Sequence, residues 1–185
     1  MIIKNLAAMC RKTKYIAMFE DELNGIQWIG TLRGVYPAYG VPRMDTEQIK
    51  FLFDIPEEKK AECYSNNVGE IRNVWDVSDG ASDNEAISMK LPMFYGGKML
   101  TPLQTSTGVA FIDEDYLRPI ENRAETKLYE RYTESGKLYI VVKNGMMVEG
   151  LILPEEIKAK PLLERMNQIT TLLAAQADVE EEEET

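Results

Sequence analysis

The alternation of apolar and polar positions along the chain predicts a mixed α+β protein. Ile2 to Lys12 places Ile2, Ile3, Leu6, Met9 and Cys10 on one face at helical spacing, with Lys4, Arg11 and Lys12 opposite. The β-rich runs YIAMFE and IQWIGTL flank Asn24-Gly25, a hairpin signal with a loop longer than two residues. Arg33-Gly34 makes the next turn, and VYPAYG a third strand that Pro37 confines to an edge or an end. Asp45 or Thr46 caps a short helix carrying Ile49, Leu52 and Phe53, which Pro56 ends. KAECYSN, EIRNVWDVS and AISMKLPMFY read as strands and DGASDNE as a loop. Gly96-Gly97 and Pro102 mark Tyr95 to Thr107 as an irregular linker or long loop.

GVAFI begins the second half as a compact strand, and DEDYLRPIENR follows as a short helix that Pro119 kinks or shortens. TKLYERYTE, KLYIVVK and MMVEGLILP, separated by Ser135-Gly136 and Asn144-Gly145, form the strongest β pattern in the chain. A C-terminal helix is predicted from Pro161, with Leu162, Leu163, Met166, Ile169, Leu172 and Leu173 on a broad apolar face. The order helix, Thr-Lys, strand, Gly turn, strand, Gly turn, strand occurs around Thr13 and again around Thr126. Such a helix-plus-meander unit cannot bury its sheet face alone, so two of them are expected to share one sheet. The expected organisation is one α+β domain over residues 1–160, with halves of about 1–43 and 108–154 around a middle insert 44–107. A helix at 161–177 and a disordered acidic tail at 178–185 complete it.

The 185 residues carry a net charge of −10, and six of the 31 acidic side chains lie in the tail DVEEEEET. The absence of histidine removes Ser-His-Asp and Cys-His mechanisms and every metal site that needs imidazole. Cys10 and Cys63 have no CxxC partner, which suits a reducing compartment, and Cys10 reads as a small core residue. No apolar run of 18 residues and no secretory leader is present, so a cytoplasmic protein with no membrane partner is expected. Glu20-Asp21-Glu22 and Asp113-Glu114-Asp115 contain the carboxylates that a hard cation or an acid pair requires. The first group sits at a hairpin turn and the second at a helix start, where the dipole favours acids, so no catalytic residue, metal or cofactor is assigned. Gly96-Gly97-Lys98 lacks the P-loop spacing. Among the aromatics able to stack bases, Trp28 and Trp75 fall in strand patterns and read as core. Met89 to Met99 and Met146-Met147 read as gap-fillers or an adaptable binding surface.

GVAFIDEDYLRPI, with its Tyr116-Leu117 pair, and KLYIVVKNGMMVEGLILP, ending at Leu153-Pro154, resemble the sliding clamps of DNA replication. That resemblance implies two α-plus-meander halves per domain and a non-enzymatic, DNA-associated accessory role, with helices lining one surface. Clamp rings contain six such domains, so this chain would act as an oligomer of many copies or would not close a ring, and its insert is larger than the family pattern. A clamp meets phosphates loosely and without sequence preference, through Lys and Arg. The candidates for contact with double-stranded DNA are Lys4, Arg11, Lys12 and Lys14, and Arg118 from the second helix. The alternative is a structural or assembly protein of phage or mobile-element type, which binds protein partners or itself through the C-terminal helix and acidic tail.

Overall fold

The computed structural model describes residues 1–60, 62–79, 83–120 and 125–158, together with 160–162, 164 and 168. Residues 1–155 form one compact unit and 156–185 a second. In the second unit Lys160, Pro161, Leu162, Glu164 and Gln168 are helical, as the periodicity predicts; Leu163, Met166, Ile169, Leu172, Leu173 and the tail 178–185 lie outside the described residues.

The first unit opens with helix α1 (Ile3–Thr13), whose buried stripe is Leu6, Ala7, Met9 and Cys10. Lys14 ends it in the left-handed conformation, φ 54°, and turns the chain into strand β1 (Tyr15–Asp21). Strands β2 (Ile26–Gly30) and β3 (Gly34–Pro37) complete an antiparallel meander. Glu22 to Gly25 make the four-residue β1–β2 loop, with Gly25 at φ +65°. The helix α2 (Thr46–Leu52) starts at a capping box: Asp45 accepts from the Gln48 backbone N–H, and the Gln48 side chain accepts from the Asp45 N–H. A single turn α3 (Glu57–Lys60) leads into β4 (Tyr64–Glu70). The strands β5 (Asn84–Glu85), β6 (Ile87–Ser88), β7 (Met93–Tyr95), β8 (Lys98–Thr105) and β9 (Gly108–Asp113) follow. Then β10 (Thr126–Tyr132), β11 (Leu138–Asn144) and β12 (Met147–Ile152) form the second meander.

The two meanders lie side by side in one eight-stranded sheet of order β4-β1-β2-β3-β12-β11-β10-β5. Their third strands join it, pairing Val35 with Leu151 and Gly34 with Ile152. The Tyr36 ring locks this seam: it packs against Gly34 and Gly150, one from each half, and its hydroxyl donates to the Tyr116 carbonyl at 2.6 Å. The middle segment supplies both outer strands, β4 parallel to β1 and β5 antiparallel to β10, so the meanders present no bare edge.

Several elements differ from the sequence expectation. Tyr95 to Thr107 is not a linker. Gly96-Gly97, at φ +58° and +79°, forms a two-residue hairpin turn into β8, the central strand of a small sheet with β6, β7 and β9. Pro102 is tolerated because its carbonyl faces Met89 on the edge where β7 has ended, so its missing N–H breaks no bond to β9. EIRNVWDVS is not a strand but a 3-10 turn (Ile71–Asn73) followed by an extended strap. AISMKLPMFY pairs with β8 instead of the strand before it. The helix expected after Asp113 is reduced to a 3-10 turn, Glu114–Leu117, which stops before Pro119; residues 121–124 lie outside the described residues.

Both faces of the large sheet are covered. On one, Ile16, Met18, Ile29, Tyr36, Ile140, Val142 and Ile152 pack with Leu6 and Cys10 of α1, Ile49 and Phe53 of the α2 segment, and Leu103 and Ile112 of the small sheet. On the other, Ala17, Phe19, Trp28, Val35, Tyr139, Val141 and Leu151 pack with Ile71 and Val77 of the strap. Burial on both sides explains why β1 and β11 are almost continuously apolar.

Candidate functional site

The predicted cations all reach solvent, and the fold gathers them. Lys4, Arg11 and Lys12 are exposed on the side of α1 away from its buried stripe, with Lys14 just past the C-terminus. Arg118 comes from 113 residues beyond Asn5 in the sequence: the Asn5 amide donates to its carbonyl at 2.7 Å, and Asp115 accepts from both Lys12 at 2.8 Å and Arg118 at 3.0 Å. Lys14 pairs with Glu62 at 2.7 Å. Arg11 donates to the Phe53 carbonyl, one of the free carbonyls at the end of α2. Lys4 has no ion-pair partner among the described residues. The hydrogen bond from Lys12 holds the Asp115 carboxyl below its usual range, with the Lys12 and Arg118 charges adding to the effect, and Lys12 is raised in turn. Five cations thus lie around α1 in a protein whose net charge is −10, and Lys12, Lys14 and Arg118 among them meet Asp115 or Glu62.

The acidic clusters do not converge on a common point. Asp21 accepts both arms of Arg72, at 2.9 and 3.0 Å, and the Asn24 amide. Burial alone would raise its pKa, but these donors hold it below the usual value. Glu20 meets Gln27 and Arg43. Asp113 caps the 3-10 turn by accepting the Asp115 N–H at 3.0 Å, and burial raises it. Glu114 accepts from Thr101. Among the described residues no group of three His, Cys, Asp or Glu side chains could hold a metal ion.

The sequence reading overlooked the second sheet face. Arg131 and Lys143, 7% and 4% exposed, lie under the strap. Arg131 donates to both oxygens of Asp83, at 2.8 and 2.6 Å, and to the carbonyls of Asp76 and Ser78. Lys143 pairs with Asp83 at 2.5 Å and Asp79 at 3.2 Å, its Nζ 5.0 Å from the centre of the Tyr129 ring. The Tyr139 hydroxyl donates to the Asp76 carbonyl and accepts its N–H. These buried cations pin a narrow segment across an apolar face and leave openings beside it. One, of 200 Å³, lies between Phe19, Leu32, Trp75 and Leu153.

The larger opening, 390 Å³, sits where the β1–β2 and β11–β12 tips meet the strap. Trp28 and Tyr39 line it with Arg72, Val77 and Val148, and Leu23, Met146 and Met147 stand exposed at its rim. Trp28 is 2% exposed, and its Nε1–H has no hydrogen-bond partner. The two Asn-Gly signals locate both tips, and of the two readings of Met146-Met147, gap-fillers or an adaptable surface, their exposure excludes the first. The strap that closes the cleft carried no such signal. No protein-family model, no curated protein and no solved structure matches the chain.

Proposed function

We propose that the chain is a non-enzymatic, DNA-associated accessory protein that meets duplex phosphates through the outer face of α1 and the turn beside it. One observation supports this most. Lys4, Arg11, Lys12 and Lys14 share a surface with Arg118, which enters through contacts spanning more than 100 residues of sequence. Lys12, Lys14 and Arg118 are held only by surface carboxylates, and such pairs are weak enough for a phosphate to displace. The acidic clusters serve the fold: Asp21 clamps Arg72, Asp113 caps a turn, and Asp115 positions two of the cations.

Contact of this kind is electrostatic and blind to sequence. About four phosphate contacts give a salt slope near −3.6, so affinity falls roughly a hundredfold between about 50 and 200 mM salt. Fluorescence anisotropy with a labelled duplex measures it. Charge reversal at Lys4→Glu, Arg11→Glu and Lys12→Glu together abolishes the binding, with circular dichroism checking the fold. Absence of wild-type binding in about 20 mM salt, where screening is least, overturns the reading.

A further inference from the structure

We infer that the Trp28 cleft is a binding site for one apolar residue of a partner polypeptide, seated with its backbone carbonyl on Trp28 Nε1. A buried indole N–H ordinarily finds an acceptor, and an orphan of this kind in a packed protein calls for an explanation. Here the orphan belongs to a side chain that lines a cleft. The missing group must be an acceptor, and a peptide carbonyl is the commonest one a partner protein can offer.

The cleft also determines what accompanies the acceptor. Its lining charges are engaged within the protein: Asp21 with Arg72, and Asp79 with Lys143, which Asp83 shares. The side chains left unengaged at the rim are apolar, so a neutral apolar group is the better fit. At 390 Å³ it lies at the small end of the ~300–1,000 Å³ range of ligand sites, which suits a single large side chain with its peptide group. Its rim, Leu23, Met146 and Met147 at 77%, 79% and 51% exposure, is more apolar than solubility alone would favour. Nε1 itself is out of contact with solvent, so an acceptor reaches it only when the rim repacks. Unbranched thioethers repack readily. This site does not depend on the DNA-binding reading, because it lies on the opposite face of the large sheet from α1.

The chain has two tryptophans, so ¹⁵N-labelled full-length protein gives two indole resonances, and Trp75→Phe assigns them. The probe is N-acetyl-phenylalaninamide, whose roughly 15 non-hydrogen atoms predict a Kd on the order of 1 mM. The expected result is a saturable downfield shift of the Trp28 Nε1 proton, weakened at least about fivefold by Met146→Lys with Met147→Lys. Both methionines are exposed, so this variant keeps its fold. A Trp28 resonance that stays in place to about 20 mM probe, that moves upfield, or that moves equally in the lysine variant overturns the proposal.

Discussion

Replacing Arg131 with methionine tests the architecture of the second sheet face directly. The guanidinium makes four hydrogen bonds, two to Asp83 and one each to the carbonyls of Asp76 and Ser78, and is 7% exposed. Methionine replaces much of the volume but none of the donors. Asp83 keeps Lys143 at 2.5 Å, so its charge is not stranded, while two strap carbonyls lose their partner. Breaking a buried pair costs about 3–5 kcal/mol, and the remaining lysine places this case near 3 kcal/mol. For a unit of 155 residues that lowers Tm by roughly 6–12 °C. The pH dependence has a definite sign. Burial would raise the Asp83 carboxyl, but hydrogen bonds from Arg131 and Lys143 and their charges hold it below its ordinary value. Its stabilisation is therefore complete above the unfolded carboxyl's pKa of about 3.9 and is lost as pH falls through the lower folded value. Urea unfolding of wild type and variant should give a constant gap from about pH 7 to 5 that narrows only in stronger acid, where the two carbonyl bonds remain. A gap below about 1 kcal/mol, or one unchanged in acid, would refute the claim that this arginine fastens the strap.

Gly34→Ala is expected to destabilise by about 1–3 kcal/mol through overpacking alone, because a Cβ there would lie 2.9 Å from Tyr116 Cδ1 and from the Tyr36 ring. Its signature is a lower urea midpoint with an unchanged m-value, and an unshifted midpoint contradicts the account of the seam. Burial, the leading cause, pushes the Cys10 thiol up to about 12, so in a Cys63→Ser background at pH 8 a disulfide reagent should label Cys10 only after unfolding. Prompt labelling of the native protein would show that the residue is not sealed beneath α1.

How much of this was legible in the sequence depends on whether the deciding contact is local. α1 could be read because Leu6, Met9 and Cys10 repeat at helical spacing, and the hairpins because Asn24-Gly25 and Asn144-Gly145 encode their own turns. Capping by Asp45 is equally local, since its partner Gln48 is three residues away. The misreadings share a cause. Ile71, Trp75 and Val77 fall at strand spacing, yet Glu70 accepts the Arg72 N–H and bends the backbone into a 3-10 turn. Pro102 looked like a breaker because its safety depends on strands β6 and β7 leaving a gap opposite it. Arg131 and Lys143 occupy positions that an alternating pattern assigns to solvent, and their burial is tolerable because Asp83, 48 residues before Arg131, and the strap groups around it meet them. For the basic surface, the residues on α1 were legible as a periodic polar face, whereas the placement of Arg118 beside it depends on Asn5 and Asp115 meeting across the fold.

The large sheet separates the two proposed sites physically. α1 and its cations rest on the face that holds Ile16, Met18 and Tyr36, whereas the cleft opens on the face of Phe19, Trp28 and Tyr139. Neighbouring residues of β1 alternate between the two, Met18 to one core and Phe19 to the other, so the faces are one residue apart in sequence and a sheet's thickness apart in space. Charge reversal on α1 therefore has no packing route to the Trp28 indole except through the sheet itself. Loosening the strap should act in the opposite sense: Val77, Ser78 and Asp79 form one wall of the cleft, and Arg131 secures that segment through the Asp76 and Ser78 carbonyls. A variant that frees the strap should disturb the cleft while leaving the cation surface intact, because Lys12, Asp115 and Arg118 are tied to one another and not to the strap. Separate binding partners could then engage the chain from its two sides without competing for the same residues.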